Sequence, residues 1–188
     1  MASMDLGFRM HAERTPNPNS IKWVLATSLL DPGKSAQFQA PPSAACSPLA
    51  ARLFTVSGVT GVFLSSNFVT VTKVAEVEWT DIAQPLVDAI KAHVSSQEPA
   101  LGPDFEARPS MAEGEVVERI IRILDEEIRP AVAMDGGDVV FAGFHEGRVE
   151  LYLQGSCSGC PSSRATLKLG IEARLREAIP EVVEVVAV

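Results

Sequence analysis

The stretch RVELYLQGSCSGCPSS, residues 148–163, combines three local signals in one short segment. It begins with alternating apolar and polar residues, which are typical of a strand with one buried face. Glycines and serines then surround Cys157 and Cys160, and Pro161 follows directly. Because proline is favoured in the first turn of a helix, the stretch predicts a strand, a cysteine-bearing turn and a helix start, in that order.

The residues around this stretch predict a small domain at 113–188. The predicted elements are a helix at Glu113–Ile128, strands at Asp138–Phe144 and Arg148–Gln154, a helix at Pro161–Ala178 and a strand at Val182–Val188. Pro130 is expected to end or kink the first helix. The order α-β-β-α-β predicts a three-stranded sheet covered by two helices.

Residues 1–96 predict a second small domain that mixes strands and helices. Its predicted elements are strands at 20–27, 62–65 and 68–74, a short strand near Phe38, and helices that begin with Ser47 and Thr80 as caps. Residues 97–112 contain prolines and no periodicity, so we interpret them as a linker. The predicted fold class is α+β, with two small α/β domains.

Composition and charge argue against several classes of partner and location. The net charge of −8 argues against nucleic acid and anionic membranes, which need clustered Lys and Arg. No apolar run approaches the roughly 20 residues that span a bilayer. Three cysteines do not resemble a secreted disulfide framework, and the first residues lack the pattern of a secretory signal. We therefore expect a reducing interior.

The cysteine pair predicts a metal site that is only half complete. Thiolate is the metal-binding form of cysteine, and a helix start is expected to lower the pKa of both thiols. Gly155 and Gly159 would let the backbone approach a bulky inorganic core. Because a cubane cluster or a tetrahedral zinc ion needs four ligands, the simplest completion is a second chain across a two-fold axis.

Other interpretations of the pair stay open at this point. A lone C-x-x-C motif is about equally consistent with metal binding and with dithiol redox chemistry. The rivals are a structural zinc module and a dithiol oxidoreductase, and a structural or inert cysteine pair is the third alternative. The stretch Met134–Asp138 could be an acidic metal site, but its two glycines favour a turn that brings a loop close to the cysteines.

Several short motifs occur in an order that matches a known family. They are Arg129-Pro130, Met134-Asp135-Gly136-Gly137-Asp138, Gly155-Ser156-Cys157-Ser158-Gly159-Cys160-Pro161-Ser162-Ser163, Thr166-Leu167-Lys168 and Gly170-Ile171-Glu172. Together they closely resemble the NifU C-terminal domain of the Nfu family of iron–sulfur carriers. The N-terminal part resembles the family's N-terminal domain through Thr15–Lys22, Ser47–Ala50 and Gly58–Phe63.

The resemblance implies a carrier rather than an enzyme. Such a protein binds a [4Fe–4S] cluster between two chains through Cys157 and Cys160 and hands it to apo-proteins. The implied partners are apo iron–sulfur clients, an upstream cluster-assembly scaffold and, when loaded, a second copy of the chain. The expected location is the cytoplasm of a bacterium or the mitochondrial matrix of a eukaryote.

Overall fold

A computed structural model describes residues 8–106, 114–158 and 161–188, without the side chains of residues 161–163. The chain divides into two compact units, and the first contains most of the residues up to Glu106. Both units mix helices with strands, which confirms the predicted α+β class. Within the described residues, no helix is both long and apolar enough to cross a membrane.

The first unit pairs a sheet with two helices. Its elements are β1 (Met10–Arg14), β2 (Ser20–Leu25), β3 (Ala36–Phe38), α1 (Pro48–Leu53), β4 (Val59–Leu64), β5 (Phe68–Lys73) and α2 (Trp79–Ser96). The five strands run in the order β1-β2-β5-β4-β3, and every neighbouring pair is antiparallel. Along α2, Ile82, Leu86 and Ile90 are buried in the core as predicted.

Strand β1 was not predicted from the sequence. Its residues, Met-His-Ala-Glu-Arg, include no β-branched or aromatic side chain, and the strand lies largely exposed at the sheet edge. The Thr15–Asn19 segment is the turn that joins β1 to β2. Thr15 Oγ1 donates to the Asn17 carbonyl at 2.9 Å, and the Asn17 N–H donates to Thr15 Oγ1 at 3.2 Å.

The two predicted helix caps have different outcomes. Ser47 is the N-cap of α1, and its Oγ accepts a hydrogen bond from the Ala50 N–H at 3.2 Å. The prediction that Thr80 caps α2 is wrong. That helix begins one residue earlier, at Trp79, and its N-cap residue Glu78 makes no capping bond through its side chain.

The residues after α2 pack back onto the first unit. Ala100 is only 3% exposed and belongs to the core, and its carbonyl accepts a hydrogen bond from Ser47 Oγ at 2.7 Å. The rings of Phe105 and Phe38 lie 6.2 Å apart. For the segment that contains Ala100 and Phe105, the linker interpretation therefore differs from the structure. The domain limits 1–96, 97–112 and 113–188 stay a prediction.

His93 is a buried titratable group in the last turn of α2. It is 2% exposed, and its Nδ1 has no hydrogen-bond partner among the described residues. Burial lowers the pKa of the imidazole because it disfavours the charged form. The Arg52 cation lowers this pKa further, and Glu98 opposes both effects.

We expect His93 to make the first unit less stable in mild acid. Below about pH 6.5 the unfolded chain binds a proton that the folded chain does not, so stability declines as the pH falls from 6.5 towards the lowered pKa. Urea unfolding followed by Trp23 and Trp79 fluorescence at pH 7.5 and 5.5 measures the change. The decline should shrink in His93→Leu and persist in His11→Gln, whose histidine is exposed. An unchanged decline in His93→Leu would contradict the prediction.

The second unit has the predicted order α-β-β-α-β. Its elements are α3 (Glu115–Ile123), a wider turn at Leu124–Ile128, α4 (Arg129–Met134), β6 (Gly137–His145), β7 (Arg148–Gly155), a tight turn at Ser156–Ser158, α5 (Pro161–Ala178) and β8 (Glu184–Ala187). The sheet order is β6-β7-β8, with β6 and β7 antiparallel and β7 and β8 parallel. Ile120, Leu151, Ile171 and Leu175 are fully buried at its centre.

Pro130 changes the winding of the first helical segment rather than ending it. The turn Leu124–Ile128 is π-helical, and α4 then continues with Pro130 in its first turn. A proline lacks the N–H that an α-helix needs, and its ring collides with the carbonyl four residues earlier. The wider turn accommodates both effects, so the helical segment reaches Met134 and the glycine turn that follows it.

Candidate functional site

Cys157 lies in the tight turn between β7 and α5. Strand β7 ends at Gly155, whose φ of 67° suits glycine, and Ser156–Ser158 then form a single 3₁₀ turn. Helix α5 begins at Pro161, so the predicted order of strand, cysteine-bearing turn and helix is confirmed. Cys160 falls outside the described residues, and the structure therefore places only one of the two predicted ligands.

The glycine turn after α4 lies directly against the cysteine turn. The Ser156 N–H donates to the Gly136 carbonyl at 3.2 Å, and Ser156 Oγ donates to the Asp135 carbonyl. Gly136 has a φ of 76°, a conformation that favours glycine. These contacts confirm the interpretation of Met134–Asp138 as a turn, and they place it against the turn that carries Cys157.

The acidic alternative for this turn finds no support in the described ranges. Asp138 is occupied by an ion pair with Arg129. No group of three or more His, Cys, Asp or Glu residues in those ranges is placed to hold a metal ion. Within that part of the chain, Cys157 is the described member of the predicted ligand pair.

Gly137 allows β6 to approach the cysteine sulfur. A Cβ atom at this position would lie 2.6 Å from Cys157 Sγ and 2.8 Å from the Gln154 carbonyl oxygen. Both distances are shorter than van der Waals contact, and the second involves backbone that cannot rotate away. Glycine is therefore required here for space rather than for an unusual φ.

Gly137→Ala should destabilise the second unit by about 1–3 kcal/mol, because overpacking forces neighbouring atoms to shift. Hydrogen–deuterium exchange of peptides from β6 and β7 in the intact chain measures the change, with peptides of the first unit as the internal reference. Gly170→Ala is the matched control, because a Cβ there meets nothing within 4 Å and alanine favours a helix. Equal protection in Gly137→Ala and Gly170→Ala would show that position 137 does not need a residue without a Cβ.

The thiol of Cys157 is buried rather than presented to solvent. The residue is 6% exposed and belongs to the apolar core of the second unit. Burial raises the pKa of this thiol, the nearby Asp135 and Asp138 raise it further, and Ser156, whose Oγ lies 3.8 Å from Sγ, opposes them. The sequence prediction of a lowered pKa is therefore wrong for Cys157, because its sulfur lies in the core.

An ion pair that sequence reasoning missed fixes the base of the glycine turn. Arg129 Nε and Nη2 each donate to a different oxygen of Asp138 at 2.8 Å, and Arg129 Nη1 donates to Asp125 at 2.9 Å. The Asp138 side chain is 7% exposed, and the pair raises the pKa of Arg129. Both residues occur in the motifs quoted above, but no spacing rule pairs residues nine positions apart.

A pocket lies beside the cysteine turn. Among the described residues of the second unit, its lining includes Val132, Asp135, Ser156, Cys157, Thr166 and Leu167. The lining comes from α4, the glycine turn, the cysteine turn and the first half of α5. The sulfur is thus buried but lies next to a pocket that these four segments line.

Comparison with known proteins assigns the family. The model of the NifU-like domain matches residues 120–186, and the model of the N terminal of the scaffold protein Nfu/NifU matches residues 10–97. The human protein "NFU1 iron-sulfur cluster scaffold homolog, mitochondrial" is 42% identical over 177 residues, which cover 92% of this chain and 69% of the human protein. The chain belongs to the Nfu family.

A Drosophila relative has a similar degree of identity. The protein of the same name from Drosophila persimilis is 41% identical over 179 residues. This Nfu chain spans about 62% of the length of that relative. A solution NMR structure of a NifU-like protein from Saccharomyces cerevisiae aligns with 55% of the Nfu chain and 94% of its own, at 20% identity and a TM-score of 0.48.

Proposed function

We propose that this chain is an iron–sulfur cluster carrier. It binds a [4Fe–4S] cluster between two copies through Cys157 and Cys160, and it transfers the cluster to apo-proteins. The observation that carries the proposal is the position of Cys157, in a turn between a strand and a helix and beside a pocket. The cluster is cargo here, because the protein holds it only until an acceptor takes it.

Cysteine thiolates are suitable ligands for an iron–sulfur cluster. Thiolate sulfur is the protein ligand that iron–sulfur clusters use, whereas carboxylates suit harder ions. Around Cys157, the described residues supply no further thiol or imidazole for a complete site, and Asp138 is bound to Arg129. A second copy that provides the same cysteines completes a set of four thiolates, which supports the shared site.

The protein's own residues position the thiol and control its release. Ser156 and the glycine turn fix the backbone on either side of the sulfur, and the thiol of Cys157 must lose its proton when it becomes a ligand. Thiolates from an acceptor then replace the two cysteines one at a time. No substrate is turned over, so the chain acts as a carrier and not as an enzyme.

The proposed partners follow from this role and from the names of the relatives. The donor is an upstream cluster-assembly scaffold, and the acceptors are apo iron–sulfur proteins. The human and Drosophila relatives are named mitochondrial scaffold homologues. We place the chain in the mitochondrial matrix if its source is a eukaryote, and in the cytoplasm if its source is a bacterium. The negative net charge favours basic acceptors over nucleic acid or anionic membranes.

Anaerobic reconstitution tests the proposal. With iron and sulfide, the intact chain should give a brown dimer with about four irons and four sulfides per two chains, measured by metal and sulfide analysis and by native mass spectrometry. A colourless dimer that holds zinc and no sulfide would favour the structural zinc module. A monomer that turns over a disulfide substrate would favour the oxidoreductase.

A further inference from the structure

The buried position of Cys157 conflicts with the geometry that a shared cluster needs. A cluster bound between two copies must lie at the surface of each, where both chains reach it. In the structure, Cys157 is 6% exposed. Its Sγ lies so close to Gly137 in β6 that a Cβ at position 137 would be only 2.6 Å from it. The sulfur must therefore move outward before it can bind a shared cluster.

Ser156 holds the cysteine turn in its inward position. Its N–H donates to the Gly136 carbonyl at 3.2 Å, and its Oγ donates to the Asp135 carbonyl. Both acceptors belong to the glycine turn, a separate element from the cysteine turn. By contrast, Ser158 Oγ donates to the Gly155 carbonyl at 2.8 Å, a bond between neighbouring residues of the same β7–α5 connection.

We propose that Ser156 is a positioning residue that latches Cys157 in an inward, protected state while the chain carries no cluster. Cluster loading then requires the two Ser156 bonds to open so that the Cys157 sulfur can move outward into the pocket that this turn already lines. The inference rests on the proposed function for its purpose, since the latch matters only if Cys157 is a ligand. In physical terms, reagents and ligands reach the Cys157 sulfur only after the two Ser156 bonds open.

The latch has a measurable consequence in the unloaded chain. If reagents reach the sulfur only in the open state, the alkylation rate is the fraction of open chains multiplied by the rate for an exposed thiol. Loss of the bond from Ser156 Oγ to the Asp135 carbonyl weakens the closed state and raises that fraction. A typical net contribution of one hydrogen bond corresponds to about a fivefold change.

The test uses the full chain with Cys46→Ser and Cys160→Ser, so that only Cys157 reacts with iodoacetamide. At fixed pH, Ser156→Ala should be alkylated about fivefold faster than the parent. Ser158→Ala, the matched control, should react at the parent rate. Ser156→Thr, which keeps a hydroxyl, should restore slow alkylation. Loss of the Ser156 hydroxyl would by itself raise the thiol pKa and slow the reaction, so only increased exposure of the sulfur explains acceleration.

Unchanged or slower alkylation in Ser156→Ala would overturn the proposal, and so would equal acceleration in Ser158→Ala. If Ser156→Ala does not fold, the urea dependence of alkylation in the parent chain still tests whether the sulfur becomes accessible by local opening. Local opening predicts an alkylation rate nearly independent of dilute urea, while global unfolding predicts a steep increase, which would also overturn it. None of these measurements uses a cluster, so failed reconstitution would refute the proposed function without deciding the latch.

Discussion

Cys157→Ala is expected to abolish cluster loading in the reconstituted chain. A cluster shared by two copies has four thiolate ligands, and the substitution removes one from each copy, so half of the ligand set disappears. Iron and sulfide content should fall to the background of chain treated without sulfide. The brown colour and the cluster-dependent dimer should disappear together. Cys160→Ala is expected to give the same result for the same reason.

Cys46→Ala is the matched control for this prediction. Cys46 is the remaining cysteine, and it lies in the first unit, just before α1. Its removal should leave about four irons per two chains. Full loading of either Cys157→Ala or Cys160→Ala would refute the ligand assignment. Loss of loading in Cys46→Ala would show that the ligand set is different.

Arg129→Met should destabilise the second unit by about 3–5 kcal/mol. The substitution leaves the Asp138 carboxylate buried without its cation, and breaking a buried ion pair from one side costs this much. The loss is a large share of the 5–15 kcal/mol that a typical domain has in total. Hydrogen–deuterium exchange of peptides from β6 and β7 in the intact chain measures it. Peptides from the first unit should keep their protection.

Arg174→Met is the control that distinguishes the effect of leaving a buried carboxylate unpaired from the effect of losing any ion pair. Arg174 also binds a carboxylate through two nitrogens, with distances of 2.7 and 2.9 Å to the oxygens of Glu127. That pair is exposed to water, so its loss should leave the protection of β6 and β7 nearly unchanged. Equal effects of the two substitutions would show that the burial of Asp138 does not matter.

The sequence predicts the second unit well because its signals are local. Pro161 marks the start of α5, and the helix has the predicted limits of Pro161–Ala178. The glycine turn and the cysteine turn each carry glycines that identify them. By contrast, β1 contains no β-branched or aromatic residue that would mark it as a strand, and it is a strand because it pairs with the edge of β2.

The environment of the site was harder to predict than its residues. The burial of Cys157 depends on the approach of Gly137, which precedes it by twenty positions and comes close only when β6 pairs with β7. The bond between Arg129 and Asp138 likewise depends on how α4 and β6 meet. A motif identified the cysteine as a candidate ligand, but the folded chain determined the pKa and exposure of its sulfur.

The packing of residues 98–105 bears on how the protein can be divided for separate study. A fragment that stops at residue 96 would lack Ala100 and Phe105, and it would expose the apolar surface that they cover. Such a fragment would be prone to aggregate, and its failure to bind a partner would be uninformative. A fragment that extends to Glu106 keeps this cover, so it is the suitable form for assigning a binding activity to the N-terminal half alone.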